Sequence, residues 1–250
     1  MKLLKNIAVI FFDIIDLYYH QKRIIKFIRK NNIKIKIFFD IGSHMGTYSD
    51  LILKDFKKCK VLMFEPQIDI FSKIKMKYKN RKNIKVYNCA ISNKSALKTI
   101  YINRHDLTSG LSILNEKSSN YIKLKAKLFG TTSAGMILKK MKVKTKKLSE
   151  VMRLNNIKKI DLAKIDTEGH EYEVLKGIQN KIKKVSYILI EFRSDKIYLS
   201  YNPKKIHNYL VKNNFVDIFV LKRVLPTSGP GLPATYEAGR TMEELEKLAS

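Results

Sequence analysis

The segment Phe38-Phe39-Asp40-Ile41-Gly42-Ser43-His44-Met45-Gly46-Thr47-Tyr48-Ser49 runs from an apolar strand, through an acid and a turn with two glycines, into a helix. Glycine at 42 and 46 lets the backbone approach a ligand closely, and the start of the next helix offers free amide hydrogens. A nucleotide-type cofactor fits such a loop. The turn is not GxGxxG and lacks the Lys-Ser/Thr pair of a P-loop, so it matches neither pyrophosphate-cradling scheme. The plain alternative is a tight strand-to-helix connection.

Outward from this segment, short β-branched and aromatic runs alternate with helical stretches. Strands are expected at Ile35 to Ile41, Val61 to Phe64, Ile84 to Asn88, Ile160 to Ile165, Val185 to Phe192 and Val216 to Leu221. Helices are expected at Tyr48 to Phe56, Ile68 to Tyr78, Leu148 to Asn155, Glu171 to Ile182 and Pro203 to Asn213. This alternation predicts an α/β fold with a mostly parallel sheet and crossover helices. Between Ser92 and about Lys142 the pattern is less regular, with one strand at Leu97 to Ile102 and a polar loop from Arg104 to Ser112. A connection of that length often carries function.

The 250 residues hold 50 Lys+Arg against 22 Asp+Glu, a formal charge of +28. With 45% hydrophobic residues the chain can bury a real core, which excludes wholesale disorder. The lysines are scattered over the whole length and not gathered in one block, so the charge gives little support to a nucleic-acid partner; acidic glycans, nucleotides and anionic membrane surfaces are equally compatible with it. Cys59 and Cys89 have no CxxC or Cys/His spacing, which argues against a disulfide scaffold or structural zinc and for a reducing, cytoplasmic setting. No metal ligand set is assigned.

Three regions divide the chain. In residues 1–33, Ile7, Ile10, Phe11, Ile14, Ile15 and Tyr18 repeat at helical spacing, continuing less regularly through Ile24, Ile25 and Ile28. The segment reads as an amphipathic extension packed on the domain; the alternative is peripheral contact of a basic helix with an anionic membrane. Asp13 and Asp16 interrupt the apolar run, so it reads as neither a signal peptide nor a membrane span. Residues 34–223 form the main domain. Residues 224–250 contain no Ile or Asn and hold three of the five prolines. They read as a linker at Thr227 to Pro233 and a short helix opened by a Thr241/Glu244 capping box: a flexible extension, a partner-binding helix, or a segment foreign to the native reading frame.

Two further strand ends carry chemistry. Val61-Leu62-Met63-Phe64-Glu65-Pro66 ends in a carboxylate that Pro66 keeps extended, about twenty residues past the glycine turn, where an acid can accept hydrogen bonds from ribose hydroxyls. Lys164-Ile165-Asp166-Thr167-Glu168-Gly169-His170 brings Asp166, Glu168 and His170 together at a carboxyl edge of the sheet, where open α/β sheets bind ligands. A carboxylate-histidine group of this kind can serve as general base or bind a divalent metal. Glu171 and Glu173 read as a solvated first helical turn favoured by the helix dipole.

The order of these motifs resembles the FkbM-type S-adenosylmethionine-dependent methyltransferases. The resembling residues are Asp40-Ile41-Gly42-Ser43-His44-Met45-Gly46, Phe64-Glu65-Pro66, Asn88-Cys89-Ala90-Ile91-Ser92, Ser109-Gly110-Leu111-Ser112, Lys164 to Gly169, and Glu173-Val174-Leu175-Lys176-Gly177, within about 35–193. The resemblance implies a Rossmann-like class I methyltransferase with a seven-stranded sheet and helices on both faces. It implies S-adenosylmethionine as cofactor, with Asp40, Gly42, Ser43 and Gly46 beside the methionine part and Glu65 with Pro66 at the ribose. The stretch Asn88 to Ala90, with Cys89 and Ala90, would border the adenine, and Asp166 would close the pocket near the reacting methyl. The chain departs from the family at Ser43-His44, where Ala-Asn is usual, and at Ser149-Glu150, where an acidic pair is usual.

The implied reaction is methylation of a hydroxyl on a sugar, glycan or natural product. Methyl transfer from a positive sulfur needs positioning and water exclusion, and an unactivated hydroxyl gains from a base. His170, Glu168 and Asp166 are the candidates in that order, with His44 in reserve. The competing readings are an RNA or DNA methyltransferase, supported only by charge, and a non-catalytic membrane-associated module. The expectation on which the rest depends is that the strand tips at Asp40, Glu65 and Asp166 converge.

Overall fold

No polar alternation interrupts Ile37-Phe38-Phe39-Asp40-Ile41, as a strand covered on both faces requires. A computed structural model of the chain describes residues 22–104, 109–115, 123, 126–127, 130–132, 134–192, 197–215, 217–222 and 234–239, the side chains of 134, 191–192 and everything past 215 excepted. A helix α1 over 22–30 precedes β1 (Ile37–Ile41), which is followed by α2 (Thr47–Asp55), β2 (Lys60–Phe64), α3 (Ile68–Lys77) and β3 (Ile84–Tyr87). The insertion contributes β4 (Ala90–Ile91), β5 (Ala96–Asn103) and β6 (Ile137–Lys146). Then come α4 (Leu148–Leu154), β7 (Ile160–Ile165), α5 (Glu171–Ile178), β8 (Val185–Phe192), α6 (Pro203–Lys212), β9 (Asp217–Lys222) and β10 (Ala234–Gly239).

The main sheet has the order β3-β2-β1-β7-β8-β10-β9. β1 pairs parallel with β2 and β7, β2 with β3, and β7 with β8, while β10 runs antiparallel to β8 and β9. The expected mostly parallel, seven-stranded sheet is present. Alternate side chains feed two cores. Phe39, Ile41, Leu62 and Phe64 pack with Leu148, Val151, Val174, Leu175, Ile206 and Leu210 of α4, α5 and α6, a cluster that includes Cys89. Phe38, Val61 and Met63 pack on the other face with Ile52, Leu53 and Ile74 of α2 and α3, beside Cys59. Helices therefore cover both faces. Ile24, Ile25 and Ile28 of α1 join the second cluster, while Ile7 to Tyr18 lie outside the described residues. Among the described residues no helix is long and apolar enough to cross a membrane.

Three elements differ from expectation. The helix expected over Glu171 to Ile182 ends at Ile178, because Gln179 takes φ 55° and the chain continues as a 3-10 segment to Lys184. Within the insertion, β6 pairs antiparallel with β5 and parallel with β4, making a second sheet of order β4-β6-β5. Most of β6 lay in the stretch read as irregular. Finally, residues 234–239, assigned with the rest of 224–250 to a linker and helix outside the domain, form β10 between β8 and β9. Backbone pairing on both sides fixes that strand, and such pairing leaves little local trace in sequence. Thr227 to Pro233 and Thr241 to Glu244 lie largely or wholly outside the described residues.

Candidate active site

Ile41 pairs with Phe64 on β2 and with Ile165 on β7, so Gly42, Glu65 and Asp166 are the next residues at the carboxyl ends of three adjacent strands. The turn is pinned to both neighbours: the Gly42 and Ser43 amides donate to the Phe64 carbonyl at 3.1 Å each, and the Asp166 amide donates to the Ile41 carbonyl at 3.1 Å. Gly42 has φ +74°, and a Cβ there would sit 1.9 Å from the Asp166 carbonyl oxygen, so only glycine fits. Gly46, also at positive φ, is the N-cap of α2.

Lys164 ties this edge together. Its ammonium lies 3.5 Å from Asp40 Oδ1 and 3.2 Å from Asp166 Oδ2, and donates to the Gly42 carbonyl at 2.6 Å. It also sits 4.9 Å from the centre of the Tyr48 ring. Burial alone would lower the Lys164 pKa, but Asp166 and Asp40 outweigh it and hold the group charged, above its usual range. Asp40 is fully buried; Ser49 Oγ donates to its Oδ2 at 2.7 Å, and its Oδ1 has no hydrogen-bond partner among the described residues.

Glu65 is buried, and its carboxylate accepts the His44 amide at 3.0 Å and the Gln67 amide at 2.8 Å. Burial pushes its carboxyl up to about 7, against the pull of those two amides and of Lys164. Asn88 Nδ2 donates to the carbonyls of Glu65 at 3.0 Å and Pro66 at 3.1 Å, fixing the turn that Pro66 begins. Ser43 is buried, its hydroxyl 3.5 Å from the Phe64 carbonyl. Cys89 lies in the hydrophobic core, and burial pushes its thiol up to about 11; Ala90 is buried at the start of β4.

The loop after β7 separates its three titratable groups. Asp166 keeps 30% of its side chain exposed. Glu168 is buried and accepts the Tyr198 hydroxyl. Gly110 packs on this loop, since a Cβ there would lie 3.1 Å from Glu168 Cβ and from the Thr167 carbonyl. His170 turns away from the carboxylates: its Nε2 is 2.9 Å from Ser92 Oγ, which also accepts from Lys98 at 2.9 Å. Burial, aided by Lys98, pushes His170 down to about 3 and keeps the ring neutral.

Glu171 corrects the sequence reading. It is not a solvated first-turn acid but is buried, its Oε1 accepting from the Thr167 amide at 3.0 Å, the Thr167 hydroxyl at 3.2 Å and the Gly169 amide at 3.1 Å. It thereby shapes the loop that carries Asp166 and Glu168. Lys164, Ser49, Glu171 and Tyr198 were not among the sequence candidates. For Lys164 the signal was present, because a lysine in the apolar run Leu162-Ala163-Lys164-Ile165 must find a buried anionic partner.

A model of the methyltransferase FkbM domain matches residues 40–216. The chain belongs to the FkbM methyltransferase family. Two relatives are similar to this methyltransferase domain: the hexuronic acid methyltransferase AglP of Haloferax volcanii, 24% identical over 174 residues, covering 70% of this chain and 61% of that protein; and the methyltransferase sdnD of Sordaria araneosa, 28% identical over 158 residues, covering 57% and 60%. The chain thus spans about three fifths of the length of these relatives. Among solved structures, the N-terminal domain of EvdMO1 in the presence of SAH and D-fucose is 9% identical with a TM-score of 0.49, covering 89% of this chain and 83% of that one.

Proposed function

We propose that this chain transfers the methyl group of S-adenosylmethionine to a hydroxyl of a sugar, glycan or natural-product acceptor. The observation that carries the reading is the meeting of Asp40, Glu65 and Asp166 around one glycine turn at the carboxyl edge of β2, β1 and β7. The name of the Haloferax volcanii relative, a hexuronic acid methyltransferase, is in line with a sugar acceptor.

The donor set suits this cofactor. Glu65 offers a carboxylate suited to a pair of ribose hydroxyls, and Asp40 holds a buried oxygen that the Lys164 ammonium faces at 3.5 Å but that has no hydrogen-bond partner among the described residues. When bound, S-adenosylmethionine supplies a methyl group on a positively charged sulfur. Lys164 keeps Asp40, Asp166 and the Gly42 carbonyl in fixed relation, and Asn88 braces the Glu65-Pro66 turn. For proton removal Glu168 and Asp166 come before His170. A general base works best with a pKa near the working pH, and His170, pushed down to about 3 and held by Ser92, is a weak acceptor.

The test is calorimetry of the full chain with S-adenosylmethionine and its demethylated product, followed by mass spectrometry of sugar acceptors incubated with labelled methyl donor. Binding is expected, with a tenfold to hundredfold loss in Glu65→Ala, the rough scale of hydrogen bonds to a charged group. Absence of binding by the unmodified chain overturns the reading.

A further inference from the structure

Strands β5 and β6 together carry six lysines and no acidic residue. Lys140, Lys142 and Lys144 alternate along β6, exposed, and stand directly opposite Tyr101, Thr99 and Leu97 of β5. A few surface cations elsewhere have acidic partners, as in Arg29–Asp55, Lys77–Asp50 and Lys176–Glu173. Among the described residues these three lysines stand opposite no acid. Residues two apart on a strand lie about 6.8 Å from each other, so the ammonium groups form a mutually repelling row that a polyanion lying along it would neutralise. The near end of the row adjoins the candidate active site. Tyr101 and Gly110 exchange backbone hydrogen bonds of 2.9 and 3.2 Å, and Gly110 rests on Thr167 and Glu168.

We propose that this row docks a carboxylate-bearing glycan chain and leads it to the acceptor side of the site, an inference that rests on the methyl-transfer reading above. Three features separate this partner from other polyanions. The Haloferax volcanii relative is named for a hexuronic acid, a sugar that carries a carboxylate. Tyr101 is already faced by the Lys140 ammonium at 5.6 Å, so its ring is not free as a platform for nucleic-acid bases. The exposed aliphatic side chains of this face, Leu97 at 67% and Leu138 at 54%, stand at the two ends of the row, whereas binding at a bilayer interface needs a continuous apolar band. Lysine point charges on a flat strand match single carboxylates spaced along a flexible chain.

The experiment titrates a linear oligogalacturonate into the full chain by calorimetry at low and at physiological salt, beside a neutral malto-oligosaccharide of equal length, with S-adenosylmethionine titrated separately. Preferential binding of the acidic sugar, weakening with salt, is expected. Replacing Lys140, Lys142 and Lys144 together by Gln lowers that affinity about tenfold, the scale of three exposed ion pairs. The same variant binds S-adenosylmethionine as before, and the triple Lys→Arg variant keeps the affinity for the acidic sugar. Equal affinity for the two sugars, or full binding by the Gln variant, overturns the proposal. Tighter lysine-dependent binding of an oligouridylate or of phosphatidylserine vesicles also overturns it. An unmodified chain that binds the acidic sugar but not S-adenosylmethionine upholds the docking surface and removes the methyl-transfer reading instead.

Discussion

Glu65 is a carboxyl on which burial and hydrogen bonding compete. Burial wins, holding the carboxyl at about 7, while the amides of Gln67 and His44 favour the ionised form. Ribose hydroxyls would donate to the ionised carboxylate, so binding of the proposed cofactor would expel the proton. Affinity for S-adenosylmethionine should therefore climb as pH rises through about 7 and level off above it, and Glu65→Gln should bind weakly without that slope, as read by calorimetry across pH. Stability runs the other way: with the folded value raised from 4.5, the contribution of Glu65 is full below about 4.5 and is lost as pH rises through about 7. The positions of Asp40, Glu65 and Asp166 at strand ends were legible because each closes an apolar run before a turn. The grouping around Lys164 was not, since only the register of β1 against β7 brings that ammonium to both acids. Glu171 was misread for a related reason: a helix-start acid looks solvated until the preceding loop folds back over it.

At the level of elements, the strands and helices flanking β1 could be read from their periodicity to within a few residues. The insertion could not. β6 does alternate, with Val143 and Thr145 buried and Lys142 and Lys144 exposed, but its lysines masked a period that reads plainly once the strand pairs with β5. The insertion is fastened to the helical layer by close approach of α5. A Cβ on Gly177 would lie 2.2 Å from the Ser92 carbonyl oxygen, a backbone atom that cannot swing aside. Gly177→Ala should therefore destabilise the fold by about 1–3 kcal/mol, seen as a lower denaturant midpoint with an unchanged slope. An unaltered midpoint would mean that α5 and the Ser92 segment have room to part.

Across the whole molecule, the α/β class and the two-sided sheet followed from the alternation of apolar runs, whereas the antiparallel end did not. β10 joins β8 to β9. Ending the chain at Arg223 should leave β9 without a neighbour in the sheet and lower the thermal midpoint, which scanning calorimetry would detect; an unchanged midpoint would show that β10 adds nothing to the fold. The two free cysteines have a consequence of their own. Cys59 sits in the core beneath α2 and α3 and Cys89 in the core beneath α4 and α5, both shielded, with burial pushing the thiols up to about 12 and about 11. Because alkylating reagents attack the exposed thiolate, each sulfur can be labelled only when its own side of the sheet opens. The chain therefore carries one chemical clock per layer, and peptide mapping of timed labelling would reveal which layer loosens first.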